Sequence, residues 1–130
     1  MTIRILEKGF VEFDGPREYD VVDRSLSPSP KFFISYNLGR PFISDEVPKE
    51  YRGFMVFHEL TEFEKLRDSN DKCLNSLKSE LEKVPEDKRK DYVTFRYGTF
   101  QNLIAFLEKY EPNSSFIPEA RKSLDFLAQF

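Results

Sequence analysis

The chain has 130 residues, a length that fits one domain built around one core. Its 20 Lys and Arg against 23 Asp and Glu leave a net charge of −3, with a pI near 5.3, so neither nucleic acid nor an anionic membrane surface is an expected partner. The apolar 39% includes 14 Phe and 6 Tyr but no Trp, and the chain holds one His and one Cys, so aromatics are plentiful while imidazole and thiolate ligands are almost absent.

The first 47 residues read as short strands. Ile3 and Ile5 alternate with Thr2 and Arg4, and Lys8-Gly9 offers a turn after Leu6-Glu7. Phe10-Val11-Glu12-Phe13 follows, closed by the turn residues Asp14-Gly15-Pro16. Tyr19–Val22 and Lys31–Tyr36 are rich in aromatic and β-branched residues and are predicted as two further strands. Between them Ser25–Pro30 carries prolines at 28 and 30, which bias their neighbours away from helix and mark a loop. Pro41-Phe42-Ile43 is predicted as a short edge segment.

From Pro48 the period becomes helical. The first helix, about Pro48–Asp68, is apolar nearly all round at Phe54-Met55-Val56-Phe57, the mark of burial on most sides. Asp45, Glu46 and Pro48 suit its start. The second, about Asp71–Val84, places Leu74, Leu77, Leu81 and Val84 at i, i+3, i+7 and i+10, and Pro85 stops it. The third begins at Glu86 and shows one face at Val93, Tyr97, Phe100, Ile104 and Leu107. Tyr92–Tyr97 is also strand-prone, but the helical face continues through Gly98 to Tyr110. The fourth, about Pro118–Gln129, presents Ala120, Leu124 and Leu127. The predicted fold class is α+β: residues 1–130 as a single domain, with a small, mostly antiparallel N-terminal sheet in the strand-rich 1–47 and about four helices in 48–130 packed on it.

Cys73 is alone and cannot form an internal disulfide, unlike the paired cysteines of small secreted domains. Met1–Lys8 alternates charge and apolar residues instead of building a signal-peptide core. The longest apolar runs, Phe54–Phe57 and Leu103–Leu107, fall far short of the roughly 20 residues that span a bilayer. Asn113-Ser114-Ser115 matches a glycosylation sequon that a cytosolic chain would not use. A soluble cytoplasmic protein is expected.

One stretch, His58-Glu59-Leu60-Thr61-Glu62, could carry chemistry. His58 and Glu62 are four apart and rise from one helical face, where they can share a partner. The segment resembles the HExxH helix of the zincin metallopeptidases, degenerate at the second ligand, where Glu62 stands in place of histidine. The resemblance covers fewer than about twenty residues. It implies a zincin-like fold, His58 and Glu62 as metal ligands and Glu59 as the general base that polarises a metal-bound water. Glu80, Asp91 and Glu108 are then candidates for a third ligand, and Cys73 a source of sulfur. Zinc favours nitrogen and sulfur, whereas one imidazole among carboxylates suits Mn or Fe. The competing structural reading has Glu62 hold the imidazole by a hydrogen bond at the core edge. An intermediate reading keeps the zincin-like scaffold for binding after loss of catalysis.

Other chemistries find little support. No sequence context marks Cys73 or any Ser as a nucleophile. The five glycines are isolated, so no phosphate loop exists. Lys88-Arg89-Lys90 is flanked by Glu86-Asp87 and Asp91 and reads as self-neutralised surface. The aromatic excess remains. Phe32 and Phe33 are adjacent, and neighbours on a strand point to opposite sides; Phe126 falls off the Ala120/Leu124/Leu127 face, and Phe130 follows it. Phe32, Phe126 and Phe130 are therefore candidate partner-binding residues, since aromatics enrich interface cores. The expected function is protein–protein interaction, as an accessory, regulatory or inhibitory module without a cofactor, its partner another protein or a second copy. The alternative is a metal-dependent hydrolase of zincin-like type using His58, Glu59, Glu62 and a divalent Zn, Mn or Fe.

Overall fold

Residues Ile5–Glu12 (β1) and Pro16–Val22 (β2) form an antiparallel hairpin whose turn is the predicted one, with Asp14 at φ 53° and Gly15 at φ 107°. The computed structural model describes residues 4–23 and 33–130. Phe32, the Ser25–Pro30 loop and the first residues of the predicted Lys31–Tyr36 strand lie outside them. The chain divides into two compact units, Met1–Arg67 and Asp68–Phe130. This boundary falls after the first helix, so that helix belongs with the sheet, although the texture of the sequence changes near residue 47.

In the first unit Ile34–Asn37 (β3) and Arg40–Ser44 (β4) complete a four-stranded sheet in the order β1-β2-β4-β3. β3 and β4 are antiparallel, and β4 runs parallel to β2. Two sequence expectations fail here for stated reasons. Lys8-Gly9 makes no turn: β1 runs through it, and Gly9 is opposite Tyr19. A Cβ on Gly9 would lie 2.3 Å from the Tyr19 ring, so glycine serves close approach of a buried aromatic rather than chain reversal. The Pro41–Ile43 segment is central rather than an edge, because Val21 pairs with Ile43 and both are buried. Pro41 fits beside a parallel neighbour that pairs only Phe42, Ile43 and Ser44.

The alternation of these strands gives the sheet two faces. Gly9, Tyr19, Val21, Ile34, Tyr36, Pro41 and Ile43 share one, and the helix Arg52–Leu60 (α1) packs on the sheet. A 3-10 turn at Lys49–Tyr51 leads into α1, and a π-helical turn at Thr61–Lys65 ends it. Phe13 meets Phe57 edge-on at 5.6 Å, a contact worth about 0.5–1.5 kcal/mol beyond the area it buries.

The second unit is three helices, Lys72–Lys83 (α2), Glu86–Tyr110 (α3) and Phe116–Leu127 (α4), with α4 packed on both α2 and α3. Pro85 separates α2 from α3, and Glu86 and Asp87 occupy the first turn of α3. Tyr92–Tyr97 is helical. Its β-prone residues are overridden by a buried stripe at Tyr92, Val93, Phe100, Leu103, Ile104 and Leu107 that only a helix can align. Among the described residues no helix is long and apolar enough to cross a membrane.

Candidate functional site

The site region is fixed by how α1 begins. Arg52 is buried and donates from Nε to the Val47 carbonyl at 2.9 Å and from Nη2 to the Asp45 carbonyl at 3.2 Å. Its Nη1 reaches Glu7 of β1 at 2.7 Å. One guanidinium fork thus locks the helix start to the sheet, a task that a lysine point charge could not do.

One and a half turns on, His58 Nε2 lies 3.1 Å from Oε2 of Glu62, as their i, i+4 spacing predicts. Both side chains are only 4% exposed, and Glu59 beside them is buried as well. The two ends of the pair come from different helix types, His58 from α1 and Glu62 from the π turn. That turn closes with the Leu66 amide donating to the Thr61 carbonyl at 2.9 Å, while Thr61 Oγ1 donates back to the Phe57 carbonyl at 2.8 Å. π turns recur at functional sites because they redirect side chains within a helix. Here Glu62 turns inward to His58 while Glu64 turns outward. His58 and Glu62 offer two ligand atoms of the kind Mn or Fe accepts, and in the same geometry they form a hydrogen-bonded pair through His58 Nε2.

Glu64 anchors an outward-facing cluster that the sequence did not signal. Arg17 of β2 donates from both terminal nitrogens to the Glu64 carboxylate, at 2.8 and 2.7 Å, and Tyr36 of β3 donates to it at 2.7 Å. The Tyr36 ring stacks on Phe63 with centroids 5.2 Å apart and planes 7° from parallel. The Arg17 hydrogen bonds hold the Glu64 carboxyl below its ordinary value, and the Glu64 carboxylate in turn raises the Tyr36 phenol. Arg17 also donates to the Gly39 carbonyl at 3.3 Å, which ties the β3–β4 turn into the cluster. Partners 47 and 28 residues apart leave no local pattern.

The predicted third-ligand candidates all belong to the second unit, where Glu80 and Glu108 are engaged. Glu80 is fully buried, receives Arg96 Nε at 2.8 Å and Nη2 at 3.1 Å, and accepts a hydrogen bond from Tyr92. Burial, the largest single influence, would lower the Arg96 pKa, but the Glu80 charge, Tyr92 and the Glu80 hydrogen bond together raise the guanidinium above its ordinary value. Glu108 pairs with Arg121 at 2.8 Å on the surface, and Asp91 is exposed. Cys73 is buried, with Ser123 Oγ 3.5 Å from its sulfur.

Of the aromatic candidates, Phe126 and Phe130 meet edge-on at 5.3 Å, with Lys78 Nζ 5.4 Å over the Phe126 ring. Phe130 is largely exposed and Phe126 half-buried. The larger exposed apolar group lies in the first unit. β1 is exposed at every position except the half-buried Gly9 and Val11, and it carries exposed Ile5, Leu6 and Phe10. The sequence marked both halves of this strand but broke it at Lys8-Gly9, and it did not show that the strand ends the sheet.

No protein-family model matches the chain, and neither a curated protein nor a solved structure matches it.

Proposed function

We propose that the protein is an interaction module of the cytoplasm, accessory or regulatory in character, that binds another protein through the exposed edge of its N-terminal sheet. The observation that carries this reading is β1: an eight-residue strand at the end of the sheet, exposed along most of its length and bearing Ile5, Leu6 and Phe10. Edge strands present unpaired main-chain groups, and proteins usually blunt them with proline or inward-pointing charge. β1 carries Lys8 and a register shift between Ile5 and Glu7, but its described part has no proline, and Phe10 stands 66% exposed opposite Glu18. Such an edge suits β-augmentation, in which an extended partner segment adds a strand while side-chain contacts set specificity. Lys8, paired with Glu18 at 3.3 Å, supplies polar flanking for an apolar centre at Phe10.

The test is Phe10→Lys, which introduces the blunting charge at an exposed site where folding has little at stake. Light scattering and calorimetric titration with the physiological partner should show binding lost or weakened at least about tenfold, one order being 1.4 kcal/mol. A wild type that is strictly monomeric and binds no protein contradicts the reading.

The second reading, a metal-dependent hydrolase of degenerate zincin type, is favoured by one observation, the 3.1 Å approach of His58 to Glu62 in the spacing that such a helix requires. Glu59 would then be its base. Metal content separates the two readings.

A further inference from the structure

A strand can pair with a second copy of itself when its side chains complement those of the same strand read in reverse. β1 has one free side, because it ends the sheet and its inner side is taken by β2. In an antiparallel pair of identical strands the two-fold axis stands normal to the sheet and keeps like faces together. Side chains alternate between faces, so each residue can oppose only one an even number of places away. Few registers remain, and the charges of Glu7-Lys8-Gly9-Phe10-Val11-Glu12 sort them. With Glu7 or Lys8 on the axis, like charges face each other. With Gly9 there, Lys8 opposes Phe10 and Glu7 opposes Val11, so no charge meets its opposite. With Val11 there, Glu12 opposes Phe10. Phe10 on the axis sets Lys8 against the partner's Glu12 and Glu12 against the partner's Lys8, two ion pairs from one residue pair.

The same register suits the shape of the strand. The β1 irregularity lies between Ile5 and Glu7, and the hairpin turn follows Glu12, so Lys8–Glu12 pairs regularly with β2 throughout. Lys8, Phe10 and Glu12 are exposed and share one face of the sheet. Phe10 meets its own copy across the axis, a cross-strand aromatic pair. On the other face Val11 comes opposite the partner's Gly9, whose place on that face is filled by the Tyr19 ring. Lys8 already holds Glu18 at 3.3 Å, and Glu12 accepts from the Gly15 amide at 2.9 Å. An ammonium has three donors and a carboxylate about four acceptor sites, so both keep capacity for a second partner.

We infer that the protein bound by the β1 edge is a second copy of this chain, joined antiparallel with Phe10 on the two-fold axis and Lys8 and Glu12 in reciprocal ion pairs. The inference rests on the reading of β1 as a binding edge and names its occupant. An isologous contact uses the edge once in each copy, so association closes at a dimer. A ladder this short is small for an interface, so the dimer forms reversibly in the micromolar range.

The test is sedimentation equilibrium of the full chain across micromolar concentrations, with charge variants of β1. The wild type should be a reversible monomer–dimer mixture. Lys8→Glu and Glu12→Lys should each weaken dimerisation at least about tenfold, because each sets like charges against each other at both pairs. Mixed in equal amounts, the two variants should dimerise with each other, since opposite charges then meet at both pairs. Damage to the fold of either variant would not be repaired by mixing. Phe10→Lys, which puts like charges on the axis, should be monomeric. A wild type that stays monomeric, a dimer that the single charge variants leave within about twofold, or a mixture that does not dimerise overturns the inference. If the wild type is monomeric yet binds another protein, and Phe10→Lys loses that binding, the edge-strand reading stands and this inference fails. If it binds none, both fail.

Discussion

Each unit joins an arginine, a glutamate and a tyrosine, and the two trios live in opposite surroundings. Arg17, Glu64 and Tyr36 sit at the surface, with the Arg17 and Glu64 side chains 29% and 27% exposed. Arg96 and Tyr92 of α3 and Glu80 of α2 are buried, at 6% and 0% exposure for the ion pair. The hydrogen-bond geometry is similar, yet the consequences of disturbing it are not. In water a missing partner is replaced by solvent, so a surface pair contributes about 0–1 kcal/mol. In the interior it leaves a charge with neither partner nor water, at about 3–5 kcal/mol. The outer trio aims a turn; the inner one holds helices in register.

The sharpest way to break that contrast is Arg96→Ala. It should cost about 3–5 kcal/mol in chemical denaturation by leaving Glu80 uncompensated. Replacing both charges, Glu80→Leu with Arg96→Met, should recover part of the loss, because an apolar pair avoids charge desolvation while the buried Tyr92 hydroxyl loses its acceptor. A single-variant cost under about 1 kcal/mol would mean that the inner pair is as solvated as the outer one.

Next in size is Gly9→Ala in β1, where the new methyl would meet the buried Tyr19 ring at 2.3 Å. Overpacking of this kind costs about 1–3 kcal/mol, and Tyr19→Leu in the same chain should restore part of it. His58→Gln should cost at most about 1–2 kcal/mol, the range for one buried hydrogen bond. Its melting temperature and that of wild type should be indifferent to chelator.

The smallest effect belongs to the outer trio. Glu64→Gln should cost no more than about 1 kcal/mol at neutral pH, and the difference should depend on pH. Arg17 depresses the Glu64 carboxyl below its ordinary 4.5, so that stabilisation is present above pH 4.5 and lost as pH falls through the lowered value. Glu64 raises the Tyr36 phenol above its ordinary 10.0, so that contribution is present below pH 10 and lost as pH rises through the raised value. Denaturation midpoints of wild type and Glu64→Gln should therefore differ most between about pH 5 and 10 and converge outside that window. A constant difference across pH would show that the carboxylate does not hold this network together.

What the sequence disclosed follows the range of the interactions. Asp14-Gly15 and Pro85 act locally, and both breaks fall where turn chemistry places them. The α3 stripe from Val93 to Leu107 defeated six strand-prone residues because a helical period sustained over several turns outweighs local propensity. Gly9 reads locally as a turn and is in fact the space for a ring ten residues away. Glu80 entered only as a candidate third metal ligand and Arg96 not at all, although Glu80 lies three residues after Leu77 and Arg96 three after Val93, on buried faces. That spacing was the available signal. For the site, His58 and Glu62 were legible because a helix fixes i, i+4 neighbours, whereas Arg17, Tyr36 and Glu64 converge only once three strands and a helix are assembled.

On the proposed reading the protein acts through its exposed surface, and His58 and Glu62 are a structural pair. Metal analysis of protein prepared without a histidine tag, wild type beside His58→Ala, tests that assignment most directly. The account predicts no stoichiometric Zn, Mn or Fe in either protein. One equivalent of metal in the wild type that disappears in His58→Ala would contradict it and move the chemistry to the HExxE helix.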